Sequence, residues 1–189
     1  MSKVIFTEEE AVIVYPSLNL DRTKISKISN KSNTLRDIDI INKLPVNNAY
    51  ILPNKENLKL HQVPILSKSI MKYCDISWKY YYDITYIEHV ITLNQLYTLD
   101  HLHNRKNYIS FINKLKKLYN DIMNLSIAGF YHSNISEYNI IIIFRNDVIE
   151  GIYLANFSYF FELNLTNPNF EQLNIVMSKA LNKCKKLIK

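Results

Sequence analysis

The hydrophobic pattern changes from short strand-like runs to long helical stripes, and this change limits the fold more than any other feature of the chain. Before about residue 90, short apolar or alternating runs predict strands. These runs are KVIFT, AVIVY, RTKISKIS, NAYILP, LKLHQVPIL and SWKYYYDITYIE. One helix is predicted over 33–44, where apolar residues return at helical spacing. Strands and helices that are segregated along a chain predict the α+β class.

The second half predicts helices around one hairpin. A short amphipathic segment covers 92–102, and long helices are predicted over 106–128 and 170–188. The helix over 106–128 has one apolar stripe, formed by Ile109, Ile112, Leu115, Tyr119 and Ile122. Between the two long helices, NIIIIFRNDVIEGIYLANF predicts two strands around a turn at Arg145–Gly151.

Size and composition predict a single intracellular domain. A chain of 189 residues fits one domain, and its longest apolar run, Ile140–Phe144, is too short to span a membrane. The N-terminus has acid where a secretory signal needs an apolar core. Cys74 and Cys184 form no disulfide framework or metal set, so we expect a cytoplasmic or nuclear protein with no membrane association. Heavy use of Asn, Ile, Lys and Tyr fits an AT-rich genome, such as that of a large DNA virus or a parasite, and leaves virion association open.

The net charge of +6 is concentrated in two Lys-rich segments, at 104–120 and 178–189. Solvated helix faces are the favoured interpretation of these segments. The alternative is a surface for nucleic acid or for an acidic partner. Nucleic acid is not favoured, because the sequence has no zinc pattern, RNP signature or Arg-rich arm.

The stretch GFYHSNISEYNIII, residues 129–142, is the candidate for a functional loop. It resembles the catalytic loop of the protein kinase superfamily, Gly-Ile-Val-His-Arg-Asp-Leu-Lys-x-x-Asn-Ile-Leu-Ile. Gly129, His132 and Asn139 match that pattern without a gap, and Asn134 stands where kinases have the catalytic Asp. The later segment LANFSYFF resembles the kinase Leu-x-Asp-Phe-Gly segment, with Asn156 at the position of the Asp.

The resemblance extends to the first half of the chain. Asp37 lies on the predicted helix where kinases have a Glu, and a strand lysine is expected to pair with it. Lys27 is the preferred lysine and Lys24 the alternative. Over about residues 20–162, the resemblance implies a compact, truncated two-lobe kinase-like fold within one domain. Its β-rich N-lobe with one helix covers 1–88, and its shortened, mainly helical C-lobe covers 89–189.

The groups that phosphoryl transfer requires are absent from the matching positions. A neutral amide at Asn134 cannot accept the hydroxyl proton, and an amide at Asn156 brings no charge to a metal ion. No glycine precedes Gly129, and three glutamates occupy the region where the phosphate-binding loop is expected. We therefore expect no bound cofactor or metal and no catalytic residue. His132, Asn134, Asn139 and Asn156 are degenerate equivalents, Lys27 and Asp37 are vestigial, and His132 is expected to fix the loop through backbone contacts.

The resemblance thus implies a pseudokinase that is not an enzyme and acts by binding a protein, as scaffold, decoy or regulator. An active kinase is one such partner. Two alternatives stay open. One is a divergent kinase with low activity or with nucleotide binding alone, and the other is a basic structural or nucleic-acid-associated protein of a virion.

Overall fold

The structure, a computed structural model, describes residues 1–55, 58–97, 105–162 and 169–187. It is a mixed α+β protein whose sheets are antiparallel. The chain divides into two compact units, Met1–Lys43 with Leu52–Ile87 and Leu44–Ile51 with Glu88–Lys189. Within the described ranges, no helix combines the length and apolarity needed to span a membrane.

The first unit is built on a five-stranded sheet. Its strands are β1 (Lys3–Thr7), β2 (Val12–Tyr15), β3 (Lys24–Ser29), β4 (His61–Gln62) and β5 (Tyr80–Thr85), in the order β1-β2-β3-β5-β4. Side chains alternate between the two faces of a strand, so one face carries the buried Val12, Val14 and Ile28. Ile70 packs on this face.

Two helices accompany the sheet. Helix α1 (Lys31–Lys43) begins after Asn30, whose side-chain oxygen accepts a 2.8 Å hydrogen bond from the Asn33 amide. Its buried face contains Thr34, Ile40 and Ile41 together with the acid Asp37. The second helix, α2 (Lys68–Met71), is a single turn that the sequence pattern did not predict. The described part of this unit therefore has two helices rather than the expected one.

The second unit contains α3 (Leu93–Leu96), α4 (Arg105–Ile127) and α5 (Asn169–Leu187). The buried stripe of α4 consists of Phe111, Leu115, Leu118, Ile122 and Leu125. It is rotated from the predicted stripe, and the prediction for Ile109 is wrong because that side chain is 48% exposed. The expected short helix over 92–102 extends partly outside the described residues.

Gly129 allows the chain to turn sharply after α4. Its φ of 83° lies in the left-handed region, which favours glycine. Its backbone amide donates to the Ser126 carbonyl at 3.0 Å, and the Ala128 amide donates to Asn124 at 3.1 Å. These bonds close the last turn of α4 and direct the chain into the candidate loop.

The described part of the second unit also contains five strands. They are β6 (Val90–Thr92), β7 (Phe130–His132), β8 (Ile140–Arg145), β9 (Val148–Leu154) and β10 (Phe160–Glu162). One sheet has the order β6-β8-β9, and β7 pairs with β10. The predicted hairpin forms, but its turn is only Asn146–Asp147 rather than Arg145–Gly151. Both turn residues have positive φ, which is what a type I′ hairpin turn requires.

The segment Leu44–Ile51 belongs to the second unit, although the sequence boundary at 88 placed it in the first. The Leu154 amide donates to the Ala49 carbonyl at 2.6 Å, and Asn47 donates through its side chain to the Asp121 carbonyl at 3.2 Å. The strand predicted over NAYILP is reduced to an isolated bridge between Tyr50 and Leu154. These long-range contacts are invisible in the local pattern.

Candidate functional site

His132 lies at the end of β7 and connects the candidate loop to the segment after β9. Its Nε2 lies 2.9 Å from the Ala155 carbonyl, and its Nδ1 accepts a 3.3 Å hydrogen bond from the Asn134 amide. The accepting Nδ1 assigns the proton to Nε2, so the ring is neutral. Burial lowers the pKa of His132 to about 4, although its hydrogen bonds oppose that shift. A neutral ring whose two nitrogens are both engaged by backbone groups positions the backbone and has no free nitrogen with which to exchange a proton.

Asn139 closes the candidate loop on itself. Its side-chain nitrogen donates to the Asn134 carbonyl at 3.0 Å, and its backbone carbonyl accepts from Ala155 at 2.8 Å. The structure thus brings His132, Asn134 and Asn139 into one hydrogen-bonded group with Ala155, the residue before Asn156. The contacts made by Asn134 in this group come from its backbone.

Asn156 shapes the segment that follows β9. It has φ 68° and ψ 86°, in a left-handed conformation that Asn tolerates better than most residues. Its side-chain oxygen accepts from the Ser158 amide at 3.3 Å and begins a 3₁₀ turn, Phe157–Tyr159. The Tyr159 carbonyl then accepts from the Ser133 amide at 2.8 Å. The loop and this segment are therefore held together on both sides of Asn156.

Helix α5 holds the candidate loop through Gln172, a contact that sequence reasoning missed. The side-chain oxygen of Gln172 accepts from the Ile135 amide at 3.0 Å, and its nitrogen donates to the Ser133 carbonyl at 3.2 Å. One amide side chain therefore satisfies two backbone groups of the loop. No local pattern could have indicated a contact between residues 37 positions apart.

The sequence analysis also missed Glu137. Its contacts correct the interpretation of the lysines in the segment 178–189 as part of a solvated helix face. Its side chain is 7% exposed, contacts the ammonium of Lys179, and lies 3.4 Å from that of Lys183. Burial opposes ionisation, but the two lysines outweigh it and lower the pKa of Glu137. Lys179 and Lys183 are therefore not merely solvated, because they neutralise a buried carboxylate. The usable sequence signal was an isolated acid in a loop whose neighbouring helix is basic.

The first unit contains a separate cluster around Lys27. The ammonium of Lys27 lies 3.2 Å from Asp37 Oδ2 and 2.8 Å from Glu8 Oε2. The side chains of Lys27 and Asp37 are 5% and 1% exposed, so this is a buried ion pair. Lys24, the alternative lysine, instead lies 3.2 Å from Asp21 at the surface. Of the two lysines considered, Lys27 is the one beside the helix acid.

The charges in this cluster depend on one another. Burial opposes the charged form of Lys27, but Asp37 and then Glu8 outweigh it and raise the pKa of Lys27. Tyr82 donates its hydroxyl to Asp37 Oδ2 at 3.1 Å. Burial, followed by the two nearby carboxylates, raises the pKa of Tyr82 well above its ordinary value. Lys27 is therefore a fixed cation, and Tyr82 is a neutral donor.

The turn between β1 and β2 supplies Glu8 and is itself held in place. The Glu8 amide donates to the Ala11 carbonyl at 2.8 Å. Glu10 accepts a 2.8 Å hydrogen bond from Asn33 and lies 3.9 Å from Arg36. From the sequence, the three glutamates were predicted only to repel phosphate. Two of them also bind side chains of their own unit.

The chemistry available to these residues is limited. Asn134, Asn139 and Asn156 offer neutral amides, which are weak ligands for a hard cation. Among the residues the structure describes, no group of three or more His, Cys, Asp or Glu could hold a metal ion. No protein-family model matches the chain, and no curated protein shows significant similarity to it.

Proposed function

We propose that this chain has a compact, truncated kinase-like fold, is catalytically inactive, and acts by binding a protein as scaffold, decoy or regulator. The observation that carries the proposal is the hydrogen-bonded group of His132, Asn134 and Asn139. At Asn134, where phosphoryl transfer needs a carboxylate, the chain has an amide. A loop that keeps its internal hydrogen bonds but lacks the catalytic carboxylate fits a role in binding.

Features of each unit support the fold part of the proposal. In the first unit, a helix acid pairs with a lysine of β3, as the kinase resemblance implies for Asp37 and Lys27. In the second unit, the order is a long helix, the loop, a hairpin and then Asn156. This is the order that the resemblance implies for a kinase catalytic half.

Phosphate transfer provides the first test. The full chain is incubated with radiolabelled ATP, Mg²⁺ or Mn²⁺ and generic protein substrates, beside Asn134→Asp and Asn134→Ala. Because no side-chain contact of Asn134 is required by the loop bonding described above, both variants should fold. We expect no transfer by any of the three. Transfer by the wild type that is lost in Asn134→Ala and kept in Asn134→Asp would contradict the proposal and support a divergent kinase.

Partner binding provides the second test. Proteins cross-linked to the chain in cells are identified, and the strongest is reconstituted from purified components. An active kinase is the partner class we favour, so its rate on its own substrate is measured with and without the chain. We expect stoichiometric binding that Asn134→Ala leaves unchanged, because a scaffold does not depend on a catalytic position. Failure to reconstitute any complex would count against the scaffold function.

A further inference from the structure

The chain between β4 and β5, residues 63–79, makes an excursion over one face of the first sheet. The Val63 amide donates to the Lys79 carbonyl at 2.9 Å, so the two ends of the excursion lie side by side. Five of its side chains, at intervals of three or four residues, pack with the buried cluster on the sheet: Val63, Leu66, Ile70, Cys74 and Trp78. The residues between these positions are left to face away from the sheet.

The outward side chains of the 63–79 excursion combine large apolar groups with lysines. The exposed apolar residues are Ile65, Met71, Tyr73 and Ile76. The exposed lysines are Lys68, Lys72 and Lys79. Ile65 is fully exposed and Ile76 is 90% exposed, so folding leaves both in water. Asp75 is the only acid between residues 63 and 79, so the excursion is basic as well as apolar. Exposed apolar groups in such numbers mark an interaction surface.

We propose that the 63–79 excursion binds the surface of an anionic membrane, with its apolar side chains inserted among the lipids and its lysines at the headgroups. The proposal goes beyond the proposed function, because it involves neither the candidate loop nor a partner protein. The sequence predicted no membrane association because it contains no spanning segment, and peripheral binding does not need one.

Charge favours an anionic membrane over a second copy of the chain. Two copies that met through this surface would each bring three lysines and one aspartate, and the net charge of +6 on each would add to the repulsion. Anionic headgroups instead attract the lysines. The ammonium of Lys72 lies 4.7 Å from the centroid of the Tyr73 ring. Both side chains have an apolar body and a polar tip, which suits them to the boundary between headgroups and acyl chains.

Co-sedimentation with lipid vesicles tests the proposal. The full chain is mixed with phosphatidylcholine vesicles that contain or lack phosphatidylserine, at physiological and at high salt. We expect binding that requires phosphatidylserine and weakens at high salt. Lys68→Gln/Lys72→Gln should lower the vesicle affinity about 30-fold. Ile65→Ser/Ile76→Ser should lower it roughly tenfold or more, because less apolar surface leaves water on binding. Melting temperatures should change little, since all four side chains are exposed.

Matched substitutions in the second unit are the controls. Lys116→Gln/Lys117→Gln makes the same charge change on α4, and Ile175→Ser removes an exposed isoleucine from α5. Both should bind vesicles like the wild type. Absence of vesicle binding, equal binding without phosphatidylserine, or an equal loss in the control variants overturns the proposal. Sedimentation velocity without lipid is run beside these assays. A wild-type dimer that disappears in Ile65→Ser/Ile76→Ser would assign the surface to a second copy of the chain and also overturns it.

Discussion

The side-chain amide of Asn139 donates a 3.0 Å hydrogen bond to the backbone carbonyl of Asn134, five residues earlier. An aspartate at 139 has no N–H to donate and directs a negative oxygen at that carbonyl. The amide is therefore required by the fold of the loop itself, whatever the loop binds.

The first prediction concerns this bond. Asn139→Ala should lower the free energy of unfolding by about 1 kcal/mol, and Asn139→Asp by roughly 2 kcal/mol, since the latter adds repulsion to the lost bond. Asn134→Asp is the matched control, because it makes the same chemical change at the residue that contributes only backbone to this contact. Urea denaturation measures all three. Equal effects of Asn→Asp at 134 and 139 would contradict the assigned role.

The second prediction concerns the pH dependence that comes from His132. Its folded pKa of about 4 lies below the ordinary 6.5. Between these two pH values, the imidazole of His132 is protonated in the unfolded chain but not in the folded chain. The contribution to stability is therefore complete above pH 6.5 and is lost as pH falls towards 4. It amounts to about 2 kcal/mol between pH 7 and pH 5.

Two measurements check the His132 prediction. Proton NMR should give an imidazole that stays neutral at pH 5 in the folded protein. The His132→Gln variant should show a stability loss between pH 7 and pH 5 that is smaller by about the same 2 kcal/mol. Carboxylates such as Glu137 titrate in both proteins and cancel in that difference. If the His132 imidazole of the wild type titrates near pH 6.5, burial does not control its pKa.

The third prediction concerns Glu137 and the two lysines of α5. Lys179→Met and Lys183→Met should each lower the free energy of unfolding by about 1 kcal/mol, because these lysines are partly exposed. The double variant should lose more than the sum, since it leaves a buried carboxylate without a cation. Lys116→Met, at an exposed position on α4, is the control and should have little effect. Simple additivity in the double variant would argue against a shared carboxylate partner.

The same contact has a pH signature. The pKa of Glu137 is lowered in the folded state. Its contribution to the free energy of unfolding is therefore complete above the ordinary pKa of 4.5 and is lost as pH falls through the folded pKa. The Lys179→Met/Lys183→Met protein should therefore lose less stability than the wild type on acidification below pH 4.5. Chemical denaturation at pH 3 and pH 6 measures the difference. Parallel losses in both proteins would be inconsistent with the pairing.

Long periodic elements could be predicted from the sequence, and short ones could not. The helical period of α4 and the alternation of β3 repeat often enough to define each element, although the buried face of α4 is rotated from the predicted stripe. Strands β7 and β10 have three residues each and form because Phe160 pairs with His132, a contact that no local pattern contains. The segment NAYILP has strand-like composition, but only Tyr50 forms a bridge.

The site could be predicted only where a motif placed its residues in order. The spacing from His132 to Asn139 identified the loop, and the pairing of Lys27 with a helix acid was expected from the resemblance. Glu8 was classified by its charge alone, because its distance from Lys27 depends on the hairpin between β1 and β2. The partners of Glu137 were missed for the same reason, since α5 returns from more than 40 residues away.

The fourth prediction concerns nucleotide. Because Glu8 occupies Lys27 and amides stand at Asn134 and Asn156, millimolar Mg-ATP should not raise the melting temperature. The Asn134→Asp/Asn156→Asp variant should fold, since an aspartate at 156 can still accept from Ser158 and tolerates the left-handed backbone. It should still transfer no phosphate, because two carboxylates do not supply a phosphate-binding loop. A saturable shift of a few degrees in the wild type would favour the nucleotide-binding alternative.

The last prediction separates a protein scaffold from a nucleic-acid binder. Lys116 and Lys117 are exposed on α4, whereas Lys183 is engaged with Glu137, so the α4 lysines are the better probe of a phosphate-binding surface. If they bound nucleic-acid backbone, affinity would fall steeply with salt. Replacing both by glutamine would then reduce the slope of log affinity against log salt by about 1 per contact. We expect only weak binding that the substitutions leave unchanged, because isolated surface charges contribute little. Strong, salt-sensitive gel shifts that disappear in Lys116→Gln/Lys117→Gln, with stability unchanged, would instead support the nucleic-acid function.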